Sequence, residues 1–251
     1  MARAENHTRK SKAARGETEI STGDPRSRDQ ARPRLVGVIA SSAALVRATR
    51  LRRPPDLFEL RLDALRDSLG ELDLAIPRLR APLILTARHP AEGGQGSLGV
   101  ARRRKLFERF LEHAALIDLE LRSVRHFSAL LTKMRNRGTG LLLSIHELRE
   151  APSANELLRL THLAAAYQPS IFKIVIRTDT PGQLDQLMNF FLETHASSFP
   201  IAAMGIGKLG HQSRRQLLHL GSALTYGSIG DPVAEGQPTL TQLRRHGRAY
   251  I

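Results

Sequence analysis

From residue 34 onward the chain alternates between two hydrophobic periods. Short apolar or alternating runs begin at Leu35 (LVGVIA), Leu57 (LFELRL), Leu83 (LILTAR), Leu116 (LIDLEL), Leu141 (LLLSIH), Ile171 (IFKIVI), Ile201 (IAAMGI) and Leu224 (LTYGS). Runs this short, bounded by turn residues, suit buried strands. Between them apolar residues recur at helical spacing, for example over 42–52, 103–114, 154–167, 183–191 and 214–220. Strand starts fall about 25–30 residues apart, the size of a βα repeat. Eight such units predict an α/β fold, a (β/α)8 TIM barrel. A doubly wound open sheet is the alternative, because a repeat count does not by itself close a sheet.

A barrel makes a sharp statement about chemistry, since its active site lies at the C-terminal ends of the strands. The second strand carries Glu59, Arg61 and Asp63. The third ends in Arg88 and runs into Glu92-Gly93-Gly94. The fourth holds Asp118 and Glu120, the fifth ends in His146, and the sixth carries Lys173. Alternation puts Glu59, Arg61 and Asp63 on one face, and Asp118 and Glu120 on one face. Inward charges are expensive, so they must pair or meet a ligand. Asp118 and Glu120 read as an internal hydrogen-bonding pair rather than a metal site.

Lys173 stands out within this set. It interrupts an apolar strand, and the chain has only six lysines against 32 arginines. Burial disfavours the ammonium, and a lysine that gives up its proton is a nucleophilic amine suited to imine chemistry. A strand-end or ion-paired lysine is the bland alternative. His146 on the preceding strand supplies a group that titrates near neutrality. An imine beside an imidazole is a complete kit for removing a proton α to a carbonyl. Glu92 is placed to hold that histidine. Arg61, Arg88 and Arg214 are candidates for lowering the lysine pKa and for binding a carboxylate.

Composition refines this picture. The net charge of +14 invites a nucleic-acid reading, but its distribution argues against one. Residues 1–34 carry nine basic and five acidic groups with almost no large apolar residues, which reads as a disordered basic tail over 1–33. The cluster Arg102-Arg103-Arg104-Lys105 reads as a solvated helix face, and no basic–aromatic interleaving suited to base stacking is seen. The absence of cysteine excludes disulfides and thiolate metal sites. No run reaches the roughly 20 apolar residues of a membrane span, and no apolar signal follows the N-terminus. The expectation is a cytoplasmic protein without membrane or nucleic-acid partners and with room for a homodimer. The barrel is expected to occupy 34–251, with no fused downstream domain.

The ordered set Glu59-Leu-Arg61-Leu-Asp63, Thr86-Ala-Arg88 with Glu92-Gly93-Gly94, Asp118-Leu-Glu120-Leu121, Ser144-Ile-His146, Lys173-Ile-Val and Gly207-Lys-Leu-Gly210-His-Gln-Ser213-Arg214 resembles type I 3-dehydroquinate dehydratase. Gly221-Ser-Ala-Leu-Thr-Tyr226-Gly and Gly236-Gln237 complete the likeness, which covers about residues 34–246. Each motif alone is weak; the ordered combination is highly specific. The resemblance implies a (β/α)8 lyase that converts 3-dehydroquinate to 3-dehydroshikimate in the shikimate pathway, without metal or nucleotide cofactor. It implies that Lys173 forms the Schiff base, His146 is the general acid/base and Glu92 supports the histidine. Arg214 would grip the substrate carboxylate, while Glu59, Arg61, Arg88 and Gln237 bind hydroxyls or order the site.

The chain departs from that pattern in places. Glu147 follows the histidine where the family usually has Asp or Asn. Val233-Ala234-Glu235-Gly236-Gln237 replaces the common Ser-Ala-Pro-Gly-Gln of a lid over 231–237. Val233 lacks a hydroxyl, and Glu235 replaces a stiffening proline and adds a negative charge. Gly205-Ile-Gly207-Lys-Leu-Gly210 is formally GxGxxG, but it follows the seventh strand, not the first strand of a dinucleotide unit. A phosphate loop there would suit a class I aldolase of a phosphorylated sugar, which remains the alternative function. A basic nucleic-acid-binding protein is the third reading.

Overall fold

The computed structural model describes residues 32–194 and 199–248. Residues 1–31, and with them nearly all of the expected basic tail, lie outside the described residues. The strands are β1 (Arg34–Ile39), β2 (Leu57–Arg61), β3 (Leu83–Thr86), β4 (Ala114–Glu120), β5 (Gly140–Glu147), β6 (Ile171–Arg177), β7 (Ile201–Ile206) and β8 (Leu224–Ser228). They form one parallel sheet in the order β7-β6-β5-β4-β3-β2-β1-β8. The seam between its two ends is bridged where the Ala223 amide donates to Ile201 O (2.9 Å) and the Ala203 amide donates to Ser222 Oγ (3.0 Å). The sheet is therefore a nearly closed barrel, not an open doubly wound sheet.

The crossovers are α1 (Ser42–Thr49), α2 (Leu69–Ala75), α3 (Val100–Phe110), α4 (Ser128–Arg137), α5 (Ala154–Ala165), α6 (Pro181–Glu193), α7 (Gly210–His219) and a final α8 (Leu240–Arg248). Local chemistry fixes several starts. Ser41 and Ser153 accept from backbone amides of the first turns of α1 and α5, and Thr180 with Gln183 forms a capping box ahead of Pro181 on α6. Gly138, left-handed at φ 70°, ends α4.

Two apolar layers result from strand alternation. Outward-facing Phe58, Leu60, Leu85, Ile117, Leu119, Leu143, Phe172 and Ile174 pack under the helices. Inward-facing Val36, Leu57, Ile84, Leu116, Leu142, Ile171, Ala202 and Leu224 fill the N-terminal half of the lumen. Such filled layers make a barrel a core, not a pore. Toward the C-terminal ends of the strands the lumen changes character.

The helix-face expectation for residues 102–105 is corrected at one position. Arg103 is fully buried, on the α3 stripe formed with Leu106, Phe107 and Phe110. Its guanidinium satisfies itself internally: Nε donates to Ala87 O (2.6 Å), Nη2 pairs with Glu120, and its carbon lies 5.2 Å from the Phe127 ring centroid.

A charged layer at the C-terminal end of the barrel

Two residues beyond the apolar layer, the even-numbered strands contribute Glu59, Asp118, Lys173 and Tyr226, all buried. They meet around the lysine amine. Lys173 Nζ donates to Asp118 Oδ2 at 2.6 Å, lies 3.8 Å from Glu59 Oε1 and sits 4.6 Å from the Tyr226 ring centroid. Burial pushes the Lys173 pKa down, Arg88 adds to that, and Asp118 and Glu59 oppose it; the net direction is downward.

Arg88, at the end of β3, organises the carboxylates. Its Nη1 and Nη2 hold Asp118 bidentately at 3.1 and 2.7 Å, and Nη1 also reaches Glu120 Oε1 (3.2 Å) and Ser144 Oγ (2.8 Å). Asp118 and Glu120 are thus joined through Arg88, not bonded to each other as the spacing suggested. Burial alone would raise the Asp118 pKa, but Arg88 and Lys173 outweigh it and hold the carboxyl well below the usual range. Glu59 is oriented by Thr86 Oγ1, which donates to it at 2.8 Å.

His146 and Glu92 form the second unit. His146 Nδ1 is 2.9 Å from Glu92 Oε2, and Arg122 Nε lies 2.8 Å from Glu92 Oε1. Glu92 sits in a short 3-10 turn (Pro90–Glu92) whose return is made by glycines. Gly93 is left-handed at φ 85°, and a Cβ on Gly94 would meet Arg88 O at 2.1 Å. Burial pushes Glu92 up to about 8, and burial with the Arg88 and Lys173 charges pushes His146 well below its ordinary value. Both shifts disfavour charge, so near neutrality the pair favours a protonated Glu92 beside a neutral imidazole. In the tautomer with its hydrogen on Nδ1, the imidazole has Nε2 free to accept a proton.

One cavity of ≈ 260 Å³ joins these units and is lined by Lys173, His146, Glu92, Arg214 and Gln237 among others. Arg214 comes from α7 and is 3% exposed. Its Nη1 lies 3.2 Å from Met204 Sδ and its Nε is unsatisfied. Among the described residues it has no carboxylate partner, and burial lowers its pKa to about 10. A buried guanidinium without a counter-ion, facing a cavity, is built to receive an anion.

The structure brings the eight sequence-predicted residues to this cavity's wall: Glu59, Arg61, Arg88, Glu92, His146, Lys173, Arg214 and Gln237. Arg61 is less free than expected. It forks onto Asp63 at 3.0 and 2.9 Å and reaches Gly93 O at 3.2 Å, which steadies the Glu92 turn. Gln237 is also engaged, accepting from the Val233 amide at 2.8 Å. Sequence reasoning missed Arg122 and Ser144 as supports of Glu92 and Asp118. It also missed Arg177, which pairs with Asp179 (2.7 Å) and with Glu235 (3.1 Å). The added charge of Glu235 is therefore matched by a cation on β6.

The GxGxxG segment runs from β7 into α7 and packs against the 231–237 segment, where a Cβ on Gly236 would meet Gly207 O at 2.8 Å. Close backbone approach accounts for these glycines. Among the described residues no cluster of three or more His, Asp or Glu side chains could hold a metal, and no helix is long and apolar enough to cross a membrane.

The sequence model of the family described as type I 3-dehydroquinase matches residues 37–248. The chain is 32% identical over 189 residues to the 3-dehydroquinate dehydratase of Dehalococcoides mccartyi, covering 74% of this chain and 82% of the relative. It is 29% identical over 215 residues to the 3-dehydroquinate dehydratase of Thermococcus onnurineus, covering 84% and 95%. Among solved structures, the 3-dehydroquinate dehydratase of Enterococcus faecalis superimposes with a TM-score of 0.73 at 26% identity, covering 87% of this chain and 94% of that one.

Proposed function

Because the chain belongs to the type I 3-dehydroquinase family and its activity is the dehydration of 3-dehydroquinate, we propose that Lys173 captures the substrate ketone as an imine and His146 moves the protons. The observation that carries this reading is the sharing of one cavity by a buried amine, a His–Glu pair and a buried arginine that has no carboxylate partner among the described residues. The phosphorylated-sugar aldolase would have no use for the His146–Glu92 pair, and the family match removes its support.

The steps follow from the groups present. Lys173 in its neutral form attacks the C3 carbonyl to give a carbinolamine, which loses water to become a protonated imine. That iminium acidifies C2–H, and His146 Nε2 takes the proton while the electron pair moves into an enamine. The enamine then expels the C1 hydroxyl, which leaves as water with the proton returned by His146. Hydrolysis of the conjugated iminium frees 3-dehydroshikimate and regenerates the amine. Glu92 orients the imidazole through its contact with Nδ1, and the protons of the pair are shared between them. Arg214 binds the substrate carboxylate, and Glu59, Arg61, Arg88 and Gln237 bind hydroxyls or order the site. Asp118 stays ionised beside the amine and steadies the iminium. The lid residues over 231–237 cover the bound substrate and exclude water.

Borohydride reduction in the presence of 3-dehydroquinate, followed by peptide mass analysis, tests this reading. The expected result is a stable adduct on Lys173. Enone product formed with no trapped adduct would refute the imine, and an adduct on a different lysine would refute the assignment.

A further inference from the structure

Arg103 touches neither the cavity nor the lysine, yet it stands at the end of an unbroken line of buried charges that leads there. Its Nη2 pairs with Glu120 Oε2. Glu120 Oε1 accepts from Arg88 Nη1 at 3.2 Å, Arg88 Nη2 donates to Asp118 Oδ2 at 2.7 Å, and that same oxygen accepts from Lys173 Nζ at 2.6 Å. The signs alternate from α3 across β4 and β3 to β6. Arg103 and Glu120 are fully buried, and Arg88 is 3% exposed, so water screens none of these steps effectively.

We propose that Arg103 is a positioning residue of the reaction, which by neutralising Glu120 fixes how Arg88 divides itself between Glu120 and Asp118, and so how strongly Asp118 holds the Lys173 amine. The proposal rests on the reading of Lys173 as the imine-forming residue. Arg88 is shared: one nitrogen, Nη1, serves Glu120, Asp118 and Ser144 together. With Arg103 in place, Glu120 has a second cation and also accepts from the His89 amide (2.8 Å) and Ser123 Oγ (3.0 Å). Its demand on Arg88 is then modest, and Arg88 stays forked on Asp118. Without Arg103, Glu120 becomes an under-compensated buried carboxylate and draws Arg88 away. Asp118 is left to Lys173, which then keeps its proton to higher pH.

The charged and titratable groups facing Lys173 are Asp118, Glu59, Arg88 and Tyr226, with His146 on the neighbouring strand. Those facing Glu120 are Arg88, Arg103 and His89, with Glu92 beyond. None of the others lies between Arg103 and Glu120. A purely structural arginine would affect folding and leave the titration of the amine where it is.

The test measures kcat/KM and borohydride-trapped Lys173 adduct against pH, in the parent and in two variants. Arg103→Gln removes a positive charge, so the acid limb of both profiles is expected to move up by about half a unit to one unit. Glu120→Gln removes a negative charge and is expected to move the same limb down by about half a unit. Opposite shifts from two neighbouring variants are the signature of the charge relay. Limbs in Arg103→Gln that superimpose on the parent within about 0.2 unit would overturn the proposal, whatever happens to its melting temperature. Should Arg103→Gln fail to fold, the Glu120→Gln shift decides: a downward move supports the relay, and an unmoved or raised limb overturns it. A parent that forms no adduct on Lys173 defeats the imine reading instead, so the two failures are distinguishable.

Discussion

In the N-terminal half of the barrel, Leu57, Leu116, Ile171 and Leu224 meet Val36, Ile84, Leu142 and Ala202, all buried and apolar. Two residues further along the same even-numbered strands stand Glu59, Asp118, Lys173 and Tyr226, equally buried. Strand geometry, burial and neighbours' backbone are shared, so the difference lies in side-chain chemistry alone. The lower layer contributes transfer free energy and close packing. The upper layer contributes little net stability, because desolvation of its ions offsets most of their attraction. What it contributes is an amine held at depressed basicity beside a proton-sharing His–Glu pair. Stability and reactivity are thus separated by about one repeat of the strand, roughly 7 Å.

Paired substitutions would break that comparison most directly. Lys173→Met is expected to lower turnover by at least about a thousandfold, since the proposed nucleophile is gone. Its stability should stay within about 1–2 kcal/mol of the parent, because Asp118 keeps its Arg88 fork and Glu59 keeps Thr86. Leu142→Ala, one layer down, should cost about 2–5 kcal/mol in denaturant unfolding and leave kcat nearly unchanged. Comparable loss of stability in the two variants would show that the charged layer is part of the structural core after all.

Within the charged layer, His146→Ala should lower kcat by about 10²–10⁴-fold while still forming the trapped imine, which separates base from nucleophile. Glu92 adds a pH signature. Its folded pKa of about 8 lies above the ordinary carboxylate value, so the folded state binds more protons than the unfolded chain between those two points. Its favourable contribution is fully present at acid pH and is lost as pH rises through about 8. His146 acts in the other direction. Its folded pKa is depressed, so stability falls as pH drops below its ordinary value. Glu92→Gln should therefore remove the decline that runs from the ordinary carboxylate value up to about 8, and so unmask the loss that His146 causes below its own ordinary value. Unfolding curves taken across pH 5–9 in parent and variant check this, and identical pH dependence in the two would contradict the buried, proton-holding pair.

The barrel was legible because the alternation of strands and helices is regular, and the eight strands begin within two residues of the apolar runs. Helices α2 and α4 were not legible, and their burial explains why. Helix α2 buries only Leu72, and α4 only Leu130 and Met134, so neither carries a strong apolar stripe. The charged residues at strand ends that the sequence singled out do line one cavity, but the wiring between them was not readable. Arg103 was taken for a solvated residue because its neighbours Arg102, Arg104 and Lys105 are basic. The signal that could have found it is spacing: Arg103, Leu106, Phe107 and Phe110 fall at i, i+3, i+4 and i+7 on one helix face. A charge on an apolar stripe marks a buried partner. The partner itself, Glu120, lies on β4, and only the fold brings the two together.

The smallest expected effect concerns the lid, where sequence raised a concern that geometry eases. Glu235 stands where a proline is common and brings a negative charge toward an anionic substrate. It pairs instead with Arg177 Nη2 at 3.1 Å, while Arg177 Nε holds Asp179 at 2.7 Å. The Glu235 side chain is 55% exposed, so the pair is screened by solvent and contributes little to how the segment is held. Glu235→Gln should therefore change KM by no more than about fivefold and leave kcat alone. The direction separates two roles for the same carboxylate. A raised KM whose difference from the parent shrinks as salt increases marks a latch that holds the lid down. A lowered KM marks residual repulsion of the substrate that Arg177 does not cancel. The latch predicts the first outcome, because the nearest charge to Glu235 is already a cation of the protein.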